Sequence, residues 1–256
     1  MDEFVRPKKH LGQHFLKDDN IARKIVGSLQ SSELPILEIG PGMGVLTKHL
    51  LELADRSCYF IETDRESIEY LNNNYPGHEG QFIQGDFLKL SIPKLFSDRF
   101  IIIGNFPYNI SSQILFKVLE NRQQVREVVG MIQKEVAERL AAGPGSKTYG
   151  ILSVLLQAYY RIEYLFTVHE NVFIPPPRVK SAVIRLTRNE TERLDCDEDL
   201  FIKVVKTAFN QRRKTLRNSL KSFYIDYERG GIEHLAGKRA EELSVQDFVL
   251  LTNLAV

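Results

Sequence analysis

The sequence contains few cysteines, no long apolar run and almost no net charge. Cys58 and Cys196 are the only cysteines among 256 residues, so the chain offers neither a disulfide framework nor a cysteine-rich metal site. No run approaches the roughly 18 apolar residues that a membrane span needs, and no apolar stretch follows the basic residues Lys8 and Lys9 near the N-terminus. These absences predict a globular cytoplasmic protein that holds no metal and enters no membrane.

Acidic residues are missing from one segment of the chain. Residues 203–221 include seven lysines and arginines and no Asp or Glu, whereas four acids lie within residues 195–199. The net charge of +1 therefore hides a segregated distribution. Such a basic stretch favours phosphate contacts with a nucleic acid, and a basic helix that is simply solvated is the alternative.

Short apolar runs rich in β-branched residues alternate with amphipathic stretches over the first two thirds of the chain. This alternation is typical of a parallel sheet covered by helices, which predicts an α/β fold. The near-continuous apolar character of the early runs indicates strands that are buried on both faces. Between the first two strands, residues 45–53 show helical spacing. The predicted strands are residues 36–39, 57–61, 81–84, 100–103, 127–132, 162–168 and 182–186.

The chain changes character after Thr187. Residues 189–199 are polar and charged, as in a linker, and Phe201, Val205 and Phe209 then recur at four-residue spacing. That spacing predicts a helix with one apolar face. We therefore expect an α/β domain over residues 1–188 and a small helical domain over residues 189–256.

A glycine-rich loop follows the first predicted strand. Gly40, Gly42 and Gly44 lie at the carboxyl edge of the sheet, where open α/β folds bind ligands and where a backbone without side chains can approach a cofactor. The dinucleotide fingerprint requires a glycine at position 45, and this chain has Val45. The loop therefore favours S-adenosylmethionine over a nicotinamide dinucleotide. A glycine turn that binds no ligand is the alternative.

Acidic residues also follow the second and third predicted strands. Glu62 is placed to accept hydrogen bonds from the ribose hydroxyls of a cofactor, and the alternative is a solvated acid beside Arg65. Asp86 is placed to accept from the adenine amine of the cofactor, with Phe87 available to pack on the ring. An Asp that caps a turn is the alternative at that position.

The segment Asn105, Phe106, Pro107, Tyr108 follows the fourth predicted strand, on the same edge of the sheet. The exocyclic amine of adenine is a poor nucleophile, because its lone pair is delocalised into the ring. If the Asn105 side-chain oxygen and the Phe106 carbonyl each accept one amine hydrogen, the nitrogen is drawn towards tetrahedral geometry. Pro107 would fix the turn, and Tyr108 offers a face on which the base can stack. The segment thus predicts methylation of an adenine amine by positioning, without a metal. A turn with an aromatic plug is the alternative.

Taken together, these residues resemble the KsgA (RsmA) family of small-subunit ribosomal RNA adenine dimethyltransferases. The resemblance implies a class I S-adenosylmethionine-dependent methyltransferase domain, with a Rossmann-like and mostly parallel seven-stranded sheet, and a small C-terminal all-α domain that binds rRNA. It also implies a monomer that dimethylates two adjacent adenosines in the 3′-terminal hairpin of 16S rRNA, in the immature small subunit. Besides the motifs above, the matching segments are residues 12–16, 133–136, 145–150, 173–179 and 209–220.

The resemblance also assigns residues to the site. His14 stands where the family usually has Asn, and Phe106 stands where Leu is more frequent. Phe173 corresponds to an aromatic that holds the target base from the side opposite Tyr108, and a core aromatic is the alternative. The residues assigned to the cofactor are His14, Leu16, Gly40, Glu62, Asp86 and Asn105, with Gln13 close by, and the motifs described above add Gly42 and Phe87.

The resemblance gives the basic stretch a role in rRNA binding, which makes the affinity for RNA depend strongly on salt. The residues concerned are Arg212, Arg213, Lys214 and Arg217, and Arg6, Lys8 and Lys9 are expected to extend this surface. Two other functions stay open. One is a methylase of large-subunit rRNA or of DNA with the same chemistry, and the other is an assembly factor that binds RNA without catalysis.

Overall fold

The computed structural model describes residues 5–31, 33–53, 56–228 and 231–255. The chain divides into two compact units, the first comprising Met1–Ala137 and Glu163–Arg188 and the second Glu138–Ile162 and Asn189–Val256. One unit boundary falls after Arg188, where the predicted domains also meet. Residues 138–162, however, group with the second unit, whereas the sequence placed them in the first domain. The functional division into a catalytic and an RNA-binding domain stays a prediction.

The strands follow the predicted apolar runs, and each of the seven predicted strands is found with ends that differ by at most two residues. Two further strands, β1 and β8, have two residues each and pair antiparallel with each other. Two-residue strands carry no periodicity, and the sequence therefore did not reveal them. The strands are β1 Phe15–Leu16, β2 Ile36–Ile39, β3 Cys58–Glu62, β4 Phe82–Gln84, β5 Phe100–Asn105, β6 Val125–Gln133, β7 Tyr160–Val168, β8 Phe173–Ile174 and β9 Ser181–Arg188.

Seven strands form one sheet in the order β4-β3-β2-β5-β6-β9-β7. Strands β2 to β6 run parallel, and β9 is antiparallel to β6. Every residue of β2 is buried, as are Phe100 to Gly104 of β5, which explains their uninterrupted apolar sequence. Because β3 and β5 lie on opposite sides of β2, chain order reverses there, and the carboxyl ends of these strands border the crevice in which such folds bind ligands.

Helices alternate with the strands in the first unit and dominate the second. The predicted helix over residues 45–53 is found in a shorter form as α2. Helix α3 begins after Asp64, whose carboxylate accepts from the Glu66 amide, an N-cap interaction that satisfies a free amide at the helix start. The helices are α1 Asp19–Val26, α2 Thr47–Leu51, α3 Arg65–Asn74, α4 Ile92–Leu95, α5 Ser111–Glu120, α6 Lys134–Ala141, α7 Ile151–Gln157, α8 Glu198–Asn210, α9 Leu216–Ser219, α10 Glu233–Ala236 and α11 Val245–Asn253.

The second unit is built around α8. Asp197 caps this helix by accepting from the Leu200 amide at 2.9 Å. Phe201, Val205 and Phe209 are buried, as their spacing predicted, and the Phe209 ring stacks on Phe248 of α11 with 6.0 Å between ring centroids. In the part of the chain that the structure describes, no helix combines the length and apolar character that a membrane span requires.

Candidate active site

An open cleft lies at the carboxyl ends of β2 to β5, the position at which open α/β sheets bind ligands. Most of the residues proposed from the sequence line this cleft. It therefore brings together motifs that are up to 95 residues apart, from Gln13 to Tyr108. The predicted residues that line it are Gln13, His14, Gly40, Gly42, Glu62, Asp86, Phe87, Asn105, Phe106, Pro107 and Tyr108.

The glycine loop leaves room beside its backbone. Gly40 has φ +69°, and a Cβ built there meets nothing within 4 Å, so its backbone faces open cleft. Gly42 has φ +56°, and a Cβ there lies 2.8 Å from the Phe15 ring. Both angles lie in the left-handed region that favours glycine. Gly42 thus fits the turn against Phe15, while Gly40 lets a ligand approach the backbone.

The Glu62 carboxylate is buried at the end of β3, with a relative exposure of 5%. One oxygen accepts from the Gly42 amide at 3.1 Å and the other from the Asp64 amide at 2.9 Å. Arg65 instead pairs with Glu69, so Glu62 is not a solvated acid beside Arg65. Burial raises the pKa of Glu62. The Thr63 hydroxyl also donates, at 3.3 Å, to the oxygen that Asp64 contacts. The oxygen that accepts from Gly42 has a second lone pair, to which a ribose hydroxyl is a suitable donor.

Glu38 is a second buried acid, which the sequence reading did not single out. It is 1% exposed on β2 and borders a small recess with Gly40 and Asn105. Burial raises the pKa of Glu38 to about 8, and the nearby Glu62 raises it further within that shift. The Thr47 hydroxyl, which donates to the Glu38 carboxylate at 2.7 Å, acts in the opposite direction. The sequence offers one indication of this residue, because a charged side chain inside a fully buried strand is rare unless it has a partner or a function.

Asp86 caps a turn, one of the two roles that the sequence left open, and it also borders the cleft. One carboxylate oxygen caps the turn Phe87–Lys89 by accepting from the Leu88 amide at 2.9 Å. The other lies 3.8 Å from the Lys89 ammonium, and the residue borders the cleft together with the buried Phe87. The cap therefore fixes the side chain and leaves an oxygen that can accept from a ligand amine.

Asn105 ends β5 with its side chain held in one orientation. Its amide nitrogen donates to the His14 carbonyl at 2.8 Å, so the side-chain oxygen points away from that partner and keeps its lone pairs for another donor. The contact from His14 uses the backbone, which a change from Asn to His leaves intact. Preorganised acceptors of this kind are what positioning of an amine requires.

Phe106 contributes its backbone to the cleft and its ring to the core. The ring is 1% exposed, and its amide donates to the Met131 carbonyl at 3.0 Å. A Cβ at Gly104 or Gly130 would lie 3.1 or 2.5 Å from the ring. The two glycines thus make space for an aromatic at position 106, a fit that the sequence motif alone could not show.

The Tyr108 ring is supported by His14 and Ser181. The His14 and Tyr108 rings stack with 5.5 Å between centroids and 27° between planes. The Tyr108 hydroxyl is hydrogen-bonded to the Ser181 hydroxyl, and burial raises the pKa of Tyr108. The His14 ring also contacts the Pro175 carbonyl at 2.7 Å. These contacts fix an aromatic ring beside Asn105.

The N-terminal segment is fastened over the end of β3 by Asp64. Lys8 and Gln13 both donate to its carboxylate, the latter at 3.3 Å, and Lys8 also pairs with Glu66 at 3.1 Å. The sequence suggested that Lys8 extends the RNA surface. In the structure its ammonium is instead paired with Asp64 and Glu66 within the first unit. The pairing instead holds Gln13 and His14 at the cleft.

Leu16 and Phe173 lie outside the cleft. Leu16 is 5% exposed and borders the small recess beside Glu38. Phe173 is 1% exposed and belongs to the hydrophobic core cluster, pairing with Leu16 across the two-stranded sheet. The observed position of Phe173 corresponds to the core alternative, because a buried ring offers no face to a base. A role in stacking stays a prediction.

The basic residues lie in the second unit, around the turn between α8 and α9. Arg213, Lys214 and Arg217 are exposed. Arg212 is engaged instead, since its guanidinium donates to the Lys147 carbonyl and lies 3.4 Å from Glu241. Arg212 therefore fastens a neighbouring loop, and the exposed bases are the ones available to phosphates.

Comparison with known proteins identifies the family. A sequence model described as ribosomal RNA adenine dimethylase matches residues 5–255. The chain belongs to this family. The ribosomal RNA small subunit methyltransferase A of Parabacteroides distasonis is 60% identical over 249 residues, which cover 97% of this chain and 93% of that protein.

Solved structures agree with the family. A dimethyladenosine transferase from Plasmodium falciparum superposes with a TM-score of 0.79 at 28% identity, covering 93% of this chain and 96% of that one. The 23S rRNA methyltransferase ErmE gives a TM-score of 0.69 at 25% identity, covering 94% and 99%. The predicted class I methyltransferase fold is thereby confirmed. The chain is an rRNA adenine methyltransferase, and S-adenosylmethionine is its methyl donor.

The residues of the cleft fit this cofactor. The open space beside Gly40 would be filled by a Cβ, and the Glu62 oxygen that accepts from Gly42 retains acceptor capacity for a hydroxyl. Asp86 and Phe87 supply a carboxylate and a ring at the end of the next strand, β4.

Within the described residues, no group of three or more His, Cys, Asp or Glu side chains is arranged to hold a metal ion.

Proposed function

We propose that this chain dimethylates the exocyclic amines of two adjacent adenosines in the 3′-terminal hairpin of 16S rRNA, in the immature small subunit. The high identity to a small-subunit methyltransferase supports this substrate over large-subunit rRNA. On the same family resemblance, we propose that the enzyme acts as a monomer in the cytoplasm. The observation that supports this chemistry is the orientation of the Asn105 side chain. Its amide nitrogen donates to the His14 carbonyl, and this hydrogen bond leaves the amide oxygen available to another donor.

The chemistry rests on acceptors that are fixed before the substrate arrives. When bound, S-adenosylmethionine supplies a methyl group that its positive sulfur has already activated. The Asn105 oxygen and the Phe106 carbonyl accept the hydrogens of the adenine amine, two before the first transfer and one before the second, which localises the nitrogen lone pair. The nitrogen releases one hydrogen as a proton to solvent for each methyl group that it gains. Tyr108, held by His14 and Ser181, supports the base. Because these groups need no reorganisation, they stabilise the transition state at little cost.

The rRNA surface that we propose includes Arg213, Lys214 and Arg217, which are exposed. Arg212 supports it indirectly by holding the backbone of Lys147, whose own side chain is also exposed. This arrangement adds Lys147 to the bases near the turn. Each phosphate that such a base neutralises releases counterions, so binding should weaken steeply with salt.

Variants at Asn105 test the chemistry. Asn105→Ala removes the acceptor, and Asn105→Asp replaces the nitrogen that donates to His14 with an oxygen that faces the same carbonyl. Both should lower kcat by about 10²-fold or more, the usual effect of losing a preorganised hydrogen-bonding group. RNA binding should stay unchanged, and the exposed Asn74→Ala serves as the control. An unaffected rate in Asn105→Ala would refute the mechanism.

The substrate is tested by labelled methyl transfer to purified small subunits, large subunits and DNA in parallel. We expect label mainly in the RNA of immature small subunits. Label mainly in large-subunit RNA or in DNA would overturn the proposed substrate while leaving the chemistry in place. RNA binding without any label would support the rival function of a non-catalytic assembly factor.

A further inference from the structure

Lys117 on α5 contacts the loop that carries Asp86 and Phe87. Its ammonium donates to the Leu88 carbonyl at 2.7 Å and to the Leu90 carbonyl at 2.6 Å. The same ammonium lies 5.4 Å from the centroid of the Phe87 ring. One side chain therefore touches this loop at three places.

Other hydrogen bonds of the loop are made by its own backbone and cap, and the Gly85 amide before it donates to the Glu62 carbonyl at 2.8 Å. Within it, the Leu88 amide donates to the Asp86 carboxylate at 2.9 Å, and the Leu90 amide donates to the Asp86 carbonyl at 3.1 Å. These bonds shape a short turn but are local to it. Hydrogen bonds from a charged donor are stronger than neutral ones, so the ammonium of Lys117 anchors the turn to α5.

Lys117 belongs to the helix that follows the catalytic segment 105–108, so its contacts link that helix to the Asp86–Phe87 loop. Helix α5 begins at Ser111, three residues after Tyr108, and Lys117 lies in its second half. Lys117 is half-buried, and burial lowers its pKa, against the opposing influence of Glu120 and Asp86. A lysine that is partly desolvated while it serves two carbonyls fits a dedicated structural contact better than a solvated surface charge.

We propose that Lys117 is a positioning residue that fixes the Asp86–Phe87 loop for the adenine end of the cofactor before the cofactor binds. This rests on the proposed assignment of Asp86 and Phe87 to that end. Without the anchor the loop samples other conformations, and the apparent affinity falls by the fraction of molecules in which it is correctly formed. A loop formed in about a tenth of the molecules lowers the affinity about tenfold.

A matched control lies three residues after Asp86. Lys89 is 86% exposed, and its ammonium lies 3.8 Å from the Asp86 carboxylate, so it also places a positive charge near that acid. Exposed pairs of this kind contribute little. Lys89→Met therefore removes a charge near Asp86 without removing the anchor.

The experiment compares Lys117→Met, Lys117→Arg and Lys89→Met in the cofactor-free protein and in the full reaction. Calorimetry gives the Kd of S-adenosylhomocysteine and of adenosine, and hydrogen exchange reports the amides of residues 88–90. We expect Lys117→Met to weaken both ligands about tenfold and by the same factor, to speed exchange at those amides and to leave kcat at saturating cofactor unchanged. Lys117→Arg should recover most of the affinity, and Lys89→Met should match the parent.

Affinities within twofold of the parent in Lys117→Met would overturn the inference, as would a fall in kcat at unchanged Kd. If Lys117→Met does not fold, Lys117→Gln, which is too short to reach both carbonyls, should show the same loss. Asp86→Ala distinguishes a failure of the Asp86 site assignment from a failure of the Lys117 anchor. If Asp86→Ala leaves the affinity for adenosine unchanged, the site assignment fails. If only Lys117→Met has no effect, the anchor alone is wrong.

Discussion

Glu38→Gln tests whether a neutral carboxyl group lies beside Asn105 in the folded enzyme. Glu38 is buried, and its carboxyl group accepts a hydrogen bond from the neutral Thr47 hydroxyl. Glutamine keeps an oxygen that can accept from Thr47 but cannot ionise. If the folded protein holds Glu38 in its protonated form, glutamine is a close mimic of it at neutral pH.

The expected magnitude follows from the pKa of Glu38. Burial raises it from 4.5 to about 8 in the folded chain, so folding favours the protonated acid. The stability that this provides is complete below pH 4.5 and is lost as the pH rises towards 8. The loss amounts to about 1.4 kcal/mol for each pH unit in that window, which makes about 3 kcal/mol at pH 7. Relaxation around the charge makes this figure an upper bound.

The assay is urea unfolding of both proteins between pH 5 and 8. Circular dichroism is the suitable signal, because the chain has no tryptophan. The stability advantage of Glu38→Gln over the parent should grow steadily with pH. Glu69→Gln, at an exposed surface pair, should show little change. A difference for Glu38→Gln that stays flat from pH 5 to 8 would refute the idea that the folded state holds this acid protonated.

Two further predictions concern the core and the RNA surface. Gly130→Ala places a methyl 2.5 Å from the Phe106 ring, so it should lower stability by about 1–3 kcal/mol in thermal unfolding, whereas Gly143→Ala, which meets nothing, should not. Equal stability of the two variants would contradict the packing argument. Arg213→Ala combined with Lys214→Ala should weaken RNA binding and reduce its salt slope by about 2, and an unchanged slope would remove these residues from the phosphate surface.

The strands and the order of the motifs were predictable from the sequence, because burial on both faces imposes apolar composition directly. The carboxyl edge of the sheet could also be predicted, since parallel strands bring their ends to one side. The sequence therefore predicts the positions of Glu62 and Asp86 at the cleft, and the structure confirms these positions. Their roles towards the cofactor stay predictions that the geometry supports.

Contacts between distant segments were not predictable. The orientation of Asn105 depends on a carbonyl 91 residues away, and the anchoring of the Asp86 loop depends on one lysine of a later helix. Neither leaves a pattern in local sequence. Phe173 is a case in which local sequence does not show burial, because the motif predicts contact with the target base and the ring lies in the core; its role towards the base stays a prediction.

Mapping dimethyladenosine in small-subunit rRNA from cells with and without this protein tests the proposed activity and substrate together. We expect two adjacent dimethylated adenosines in the 3′-terminal hairpin. They should be lost when the gene is deleted, return with the parent protein and stay absent with Asn105→Ala. Unchanged modification after deletion, or full restoration by Asn105→Ala, would refute the proposed function.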